Sequence, residues 1–222
     1  MFAKNEKKTN KEKTREMTLL AMFIAIILLM VFVPYLGFIQ IGALPSVTLI
    51  HIPVLIGAVV LGRKAGVILG LTFGIGSMLR AFYSPGMDYL FIFPWVSVLP
   101  RFIFGLLAYD AYKLARRLVN KRFPALALSF AVMTLLHTLM VLPLFFSTFP
   151  IAFNNESIGN IIGEGGMDWM TQNASFTGLL TVIAATLTTN GIIEIILAGS
   201  IGAIVTDRIL SVRENDGDEV VE

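Results

Sequence analysis

Apolar runs of about 18 residues or more recur along this chain, and they lack the polar face that a helix of a soluble protein shows. Of the 222 residues, 56% are hydrophobic and 14% are charged, whereas soluble domains carry about 25% charged residues. A helix formed by such a run can cross a bilayer, because all its backbone groups bond within the helix. The sequence therefore predicts an all-α membrane protein.

The stretch Leu44–Phe82 shows how these runs are arranged. Two apolar segments are joined by a short turn at Gly62-Arg63-Lys64, which predicts a helical hairpin. Gly66, Gly70 and Gly74 recur at every fourth position of the second segment, and residues at this spacing share one face of a helix. Small residues on one face allow a second helix to pack closely, so we expect this face to lie inside the bundle.

Six apolar segments predict a bundle of six transmembrane helices, between a basic tail at residues 1–16 and an acidic tail at residues 207–222. Pro94 and Pro100 predict a kink or a break in the fourth segment, because each removes a backbone hydrogen bond. The long connection at residues 147–177 is rich in apolar residues, which favours an ordered lid over a disordered loop. The bundle spans residues 17–206, with helices at Met17–Val33, Ser46–Leu61, Ala65–Phe82, Leu90–Ala111, Pro124–Phe146 and Gly178–Val205.

Lysine and arginine residues determine the predicted orientation. In the six-helix arrangement, all but two of them lie on one side, in the two tails, the turn at Arg63 and Lys64, and the loop at residues 113–122. The connections on the opposite side carry acidic residues and no lysine or arginine. Because basic residues are retained on the cytoplasmic side of a membrane, we expect both termini in the cytoplasm and the lid outside. The two remaining arginines, Arg80 and Arg101, lie within helices.

Few polar side chains lie within the apolar segments, and we expect them to line a pocket in the outer half of the membrane. A charge at the centre of a bilayer is unfavourable by about 2.5–3.5 kcal/mol, so such residues are kept for a function or for each other. Trp95, at the outer interface, and Trp169, on the lid, are further candidates for ligand contact. The polar residues are His51, Arg80, Arg101, His137, Asn190 and Glu194.

Several of these residues have a structural alternative to ligand binding. The side chain of Arg80 could extend to the outer head groups. Arg101 lies too deep for that, so it either pairs with Glu194 or binds an anionic ligand. His51 could hydrogen-bond a neighbouring helix, and a structural role is the favoured interpretation of His137.

Several function classes are excluded by the sequence. The chain has no cysteine, which excludes disulfides, thiolate metal sites and thiol catalysis. The segment Gly57–Lys64 lacks the Gly-Lys-Ser/Thr ending of a phosphate-binding loop, and no zinc-protease or serine-hydrolase motif is present. We therefore expect no enzyme activity, no metal and no cofactor, and the basic tail is too short to predict nucleic-acid binding. Met17–Val33 is long for a signal peptide and is predicted to be a membrane helix.

Three motifs carry a resemblance to a known family. The hairpin reads H-I-P-V-L-I-G-A-V-V-L-G-R-K-A-G-x-x-L-G from His51 to Gly70, and residues 101–105 read R-F-I-F-G. The first helix carries Ala21 and Ala25 at an A-x-x-x-A spacing. With these motifs, a basic N-terminal tail and six predicted helices, the chain resembles the substrate-binding S component of an energy-coupling factor (ECF) vitamin transporter.

The resemblance implies a fold, a location and partners. It implies a six-helix bundle in the cell membrane of a prokaryote, with a vitamin pocket on the extracellular side. It further implies that Ala21 and Ala25 pack on a transmembrane T component, which two cytoplasmic ATPases drive. In that family the S component is thought to topple in the membrane to carry its vitamin inward.

The ligand is predicted from the buried basic residues. Two arginines and two histidines favour an anionic ligand with hydrogen-bonding groups, and pantothenate fits, with its carboxylate on Arg80 or Arg101 and its hydroxyls and amide on His51 or Asn190. The hairpin resembles the pantothenate-type members of the family. Folate, riboflavin, pyridoxine-like pyrimidines and cobalamin remain alternatives. The competing class is a standalone proton-coupled transporter using Glu194, Asp110 and His137.

Overall fold

The computed structural model describes residues 9–39 and 47–215, which are predominantly helical. Two short strands, β1 (Phe38–Ile39) and β2 (Val47–Thr48), pair antiparallel, and a 3₁₀ turn at Gly86–Ile92 precedes the fourth helix. The first five helices are α1 (Asn10–Phe32), α2 (His51–Leu61), α3 (Arg63–Ala81), α4 (Pro94–Leu118) and α5 (Arg122–Phe146). Three short helices follow, α6 (Phe149–Phe153), α7 (Glu156–Ile162) and α8 (Glu164–Asn173). The last segment contains α9 (Phe176–Thr186), α10 (Ile192–Leu197) and α11 (Ala203–Asn215), joined by π turns at Leu187–Gly191 and Ala198–Gly202.

Among the described residues, three helical segments are long and apolar enough to cross a membrane: α1, Arg122–Phe153 and Phe176–Asn215. A fourth span results if the 3₁₀ turn and α4 are counted together, although they are bent by 72° at the break. This break lies directly before Pro94, as the sequence predicted. Helix α2 has only 11 residues, about half the length that a hydrocarbon core of about 30 Å requires. The predicted helical class is confirmed for the described residues, while the count of six spans stays a prediction.

Several helix boundaries differ from those predicted. Helix α1 begins at Asn10 because Thr9 caps it: its hydroxyl accepts the Glu12 N–H at 3.3 Å, and the Glu12 carboxylate accepts the Thr9 N–H at 2.6 Å. Residues 10–16 of the predicted basic tail are therefore helical. At the other end of the chain, α11 includes residues 207–215 of the predicted acidic tail. The second helix begins at His51 because β2 occupies residues 47–48. Residues 1–8, 40–46 and 216–222 of the predicted tails and first connection lie outside the described residues.

Helices α3 and α4 cross with almost no side-chain atoms between them. The Gly66 and Gly105 backbones face each other, and a Cβ added to either would overlap the carbonyl oxygen of the other. A Cβ on Gly70 would overlap the carbonyl oxygen of Arg101 and would lie 3.1 Å from the Gly105 Cα. The predicted inward glycine face is confirmed, and this crossing holds the backbone that carries Arg101.

One end of the bundle carries β1, β2, the 3₁₀ turn and helices α6–α8. We call it the hairpin end after the antiparallel strands β1 and β2; the turn of the helical hairpin, at Arg63, lies at the opposite end. The predicted lid, residues 147–177, forms α6–α8 and the start of α9. Phe149 stands edge-on to Trp169, with 6.3 Å between the ring centroids. Both belong to an apolar cluster that also contains Leu90 of the 3₁₀ turn and Val96 of α4. The segment is ordered because its apolar residues pack on the start of α4.

The opposite end is held by ion pairs between helices. Arg122, the first residue of α5, contacts Asp207 at 2.6 Å and Glu214 at 2.5 Å, both on α11. Arg63 on α3 contacts Asp110 on α4 at 2.6 Å. These pairs join the ends of helices whose apolar stretches pack within the bundle.

Candidate ligand-binding site

Buried polar side chains meet where α2, α4 and α5 pack below the hairpin end. The exposed fraction is 0% for His51, 1% for Arg101 and 4% for His137. The phenyl ring of Phe73, on α3, contacts two of them: its centroid lies 5.2 Å from the Arg101 guanidinium carbon and 5.9 Å from the His137 ring centroid. Three of the side chains singled out in the sequence analysis therefore lie in one region, although they come from three helices.

Arg101 is buried without a carboxylate partner among the described residues. One terminal N–H of its guanidinium donates to the Val96 carbonyl, and its Nε has no hydrogen-bond partner in the part of the chain that the structure describes. The guanidinium carbon lies 5.1 Å from the Phe91 ring centroid, in addition to its contact with Phe73. Cation–π contacts offset only part of the loss of hydration. Arg101 therefore retains unused capacity to bind an anion.

The alternative pairing of Arg101 with Glu194 is not formed. Glu194, 5% exposed, instead accepts the backbone N–H of Thr48 at 2.6 Å. The Thr48 carbonyl in turn lies 2.5 Å from His51 Nδ1. Strand β2 is thus fastened on one side to α10 and on the other to α2.

His51 and His137 stack on each other, with ring centroids 6.0 Å apart and ring planes 16° apart. Phe104 of α4 closes one side of the pair, with its centroid 5.2 Å from the His137 ring. The Nε2 atoms of both histidines have no hydrogen-bond partner among residues 9–39 and 47–215. Buried polar atoms of this kind are uncommon in native proteins and call for an explanation.

Arg80 contacts Asp88 and Phe38, and we call these three side chains the cap over this region. It donates to the Asp88 carboxylate at 3.2 Å, and its guanidinium carbon lies 4.3 Å from the Phe38 ring centroid of β1. A small cavity lies beneath the cap, lined by Phe38, Thr48, Ser77, Arg80, Asp88 and Phe91. It offers about 20 Å³ to the centre of a water molecule, which is room for about one water. A vitamin would therefore require the cap to move.

The remaining predicted site residues lie in different surroundings. Asn190 is buried in the π turn of the last segment, 2% exposed. Trp95 is 39% exposed and stacks on Phe93 with 4.7 Å between ring centroids, so the structure does not bring it to the buried group. Trp169 packs against the apolar cluster that α6–α8 form with the 3₁₀ turn and the start of α4. Ala21 and Ala25 both lie on the exposed face of α1.

Several residues of this site were not singled out by their sequence. Thr48 contributes its backbone N–H and carbonyl, which any residue type except proline would supply. Ser77 and Thr134 have buried hydroxyls without partners among the described residues, but isolated Ser and Thr residues are common in membrane helices. Asp88 could have been identified from the sequence as a candidate partner of Arg80, because it is one of few acidic residues on the predicted outer side. The described residues contain no group of three or more His, Asp or Glu side chains that could hold a metal ion.

The chain matches the model of one known protein family over most of its length. The family model "ECF transporter, substrate-specific component" matches residues 15–206, which include every helix from α2 to α10. The chain belongs to this ECF family. The resemblance found in the hairpin and in the A-x-x-x-A motif is confirmed, and the chain is a membrane transport component.

Two curated relatives of this ECF family member are named for the same vitamin. The pantothenate transporter PanT of Leuconostoc mesenteroides is 28% identical over 206 residues, covering 90% of this chain and 97% of the relative. The pantothenic acid transporter PanT of Lactococcus lactis is 32% identical over 156 residues, covering 63% of this chain and 76% of the relative. Both relatives come from bacteria.

Proposed function

We propose that this chain is the pantothenate-binding S component of an ATP-driven ECF importer, and that Arg101 binds the carboxylate of the vitamin. The names of the two curated relatives support pantothenate as the ligand. The observation that carries the residue assignment is the burial of Arg101 without an acidic partner in the described part of the chain. A buried, uncompensated cation is unfavourable, and an anionic ligand supplies the missing charge.

The ion pair of Arg80 separates the roles of the two membrane arginines. Arg80 already contacts the Asp88 carboxylate and the Phe38 ring, so its charge is compensated within the cap. Arg101 lies deeper and lacks such a carboxylate among the described residues. We therefore assign the ligand carboxylate to Arg101, and we assign Arg80 to closing the cap.

The proposed topology has six crossings, with both termini in the cytoplasm and the hairpin end outside. The basic residues of the ion-paired end support this orientation, and the cap at the hairpin end then faces the source of the vitamin. Ala21 and Ala25 are exposed on α1, where small side chains would allow a transmembrane T component to approach closely. Two cytoplasmic ATPases would supply the energy, as in the family.

Equilibrium binding to the purified chain tests the assignment of Arg101. Two ligands are compared: pantothenate, and panthenol, in which a primary alcohol replaces the carboxylate. We expect the wild-type chain to prefer pantothenate. Arg101→Leu should lower the affinity for pantothenate about 10- to 100-fold, because a charged hydrogen bond is lost, and should leave panthenol binding largely unchanged.

Arg80→Leu is the matched control, because it removes the other membrane arginine. It should change the binding of both ligands by a similar factor and so preserve the preference for pantothenate. If Arg101→Leu kept the wild-type preference, the carboxylate assignment would be wrong. Failure of pantothenate to bind the wild-type chain, with folate or riboflavin retained through purification instead, would replace the proposed ligand.

A further inference from the structure

We propose that His51, His137 and Thr134 form a neutral recognition slot, which binds a hydroxyl or amide group of the ligand. This inference rests on the proposed function and adds the residues that recognise the uncharged part of the vitamin. The three side chains are 0%, 4% and 0% exposed, respectively. Each has one buried polar atom without a partner among the described residues.

The bond to Thr48 determines what His51 can offer to a ligand. A carbonyl oxygen only accepts hydrogen bonds, so His51 Nδ1, which lies 2.5 Å from the Thr48 carbonyl, must carry the proton. A second proton would charge a fully buried ring, which is unfavourable. In the neutral ring Nε2 is therefore an acceptor, and the group that it binds must be a donor, such as a hydroxyl or an amide N–H.

His137 and Thr134 extend the slot along α5. Residues three positions apart lie on the same face of a helix, so the Thr134 hydroxyl and the His137 ring face the same side. The His137 ring stacks on His51 and touches Phe104 edge-on. The slot thus combines an imidazole acceptor from α2 with a hydroxyl and a second imidazole from α5, between aromatic walls.

The position of Phe73 relates the slot to Arg101. The same phenyl ring contacts both Arg101 and His137, so the cationic and neutral parts of the site lie on either side of one side chain. Pantothenate has a matching arrangement, with a carboxylate at one end and an amide and two hydroxyls towards the other. Arg101 would select the charge, and the slot would select the donor groups.

His137→Phe tests the slot against a purely structural role for the histidine pair. Phenylalanine keeps the ring contacts with Phe73, Phe104 and His51 but removes the ring nitrogens. We expect pantothenate and panthenol to lose affinity by the same factor, about tenfold or more, with the preference for pantothenate unchanged. The thermal stability of the ligand-free protein should stay the same or rise, because an unpaired polar atom is replaced by apolar atoms.

Two further variants and one further ligand test the same slot. His137→Gln, whose amide reaches a position close to Nε2, should recover part of the affinity. Thr134→Val, which preserves side-chain shape, should weaken both ligands several-fold, and it carries the test if His137→Phe fails to fold. N-propanoyl-β-alanine keeps the carboxylate and the amide but lacks the hydroxyls, so a hydroxyl contact predicts that His137→Phe leaves its binding unchanged, whereas an amide contact predicts that its binding weakens as well.

The outcome is read from the two ligands together. Wild-type affinity of both His137→Phe and Thr134→Val for both ligands would overturn the slot, and the histidine pair would then be packing alone. An Arg101→Leu variant that fails its own test while His137→Phe behaves as expected would overturn only the carboxylate assignment. Absence of pantothenate and panthenol binding by the wild-type chain would overturn both proposals.

Discussion

Thr48 connects two of the buried polar side chains through its own backbone. Its N–H donates to Glu194 of α10, and its carbonyl accepts from His51 of α2. Thr48 also lines the small cavity under the cap. The position of strand β2 over the site therefore depends on a buried carboxylate that is distant by 146 residues in sequence.

Glu194→Leu should loosen strand β2, because the bond between Glu194 and Thr48 is lost. The chain contains no cysteine, so a single cysteine at position 49 (Leu49→Cys) reports local opening through its rate of maleimide labelling. We expect labelling to be several-fold faster in Glu194→Leu. Glu194→Gln, which keeps a carbonyl oxygen as acceptor, should remain near the wild-type rate.

Thr188→Val on the same helical segment is the control for this experiment. Thr188 is exposed, and its hydroxyl bonds only to carbonyls of the preceding turn. Its replacement should leave labelling at position 49 unchanged. Equal labelling rates in Glu194→Leu and the wild type would show that the carboxylate does not hold the strand.

At the scale of single residues, the sequence identified the charged site residues better than their partners. Arg101 and His51 were found because a charge or an imidazole in an apolar segment is rare and unfavourable without a role. The partners of Glu194 and His51 are backbone atoms of Thr48, which leave no mark in residue type. His137 was favoured as structural, and its stacking on His51, which joins α2 to α5, could not be predicted from the sequence.

At the scale of helices, the crossing of α3 and α4 determines where Arg101 lies. Gly66, Gly70 and Gly105 bring the two backbones into contact, and Gly70 touches the backbone of Arg101 itself. Any side chain at these positions would push the helices apart.

Gly70→Ala and Gly105→Ala should each destabilise the protein by about 1–3 kcal/mol, because the added methyl group overlaps backbone that cannot move aside easily. Thermal unfolding in detergent measures the effect. Gly70→Ala should also weaken pantothenate binding, because it displaces Arg101. Gly199→Ala is the control, since its Cβ would meet only the Ala127 carbonyl oxygen at 3.4 Å. If all three variants unfolded at the same temperature, the close crossing would not contribute to stability.

The helices themselves were largely predictable, while several of their ends were not. Apolar length marks a membrane helix, and Pro94 marked the break that bends the fourth segment by 72°. The early start of α1 was readable from Thr9 and Glu12, which form a capping box, but the basic residues around them suggested a tail. The two π turns of the last segment have no comparable sequence signal, and both contact α5.

At the scale of the whole molecule, the exposed face of α1 is the proposed contact with the T component. Replacing Ala21 and Ala25 together by leucine should leave pantothenate binding in detergent unchanged, because neither side chain faces the buried site. The same variant should reduce ATP-dependent uptake strongly, since the larger side chains would prevent close helix packing. Ala184→Leu, on an exposed position of α9, should leave both properties unchanged. Loss of binding in the double variant, or full uptake, would contradict this role for the alanine pair.

Uptake of radiolabelled pantothenate into liposomes tests the central proposal most directly. The purified chain is reconstituted with and without a T component and its two ATPases, with ATP enclosed on the side of the ATPases or omitted, and with or without a proton gradient. We predict uptake only when the T component, the ATPases and ATP are all present, and no effect of the proton gradient. Uptake by the chain alone, driven by a proton gradient and independent of ATP, would show that the chain is a secondary transporter and not an S component.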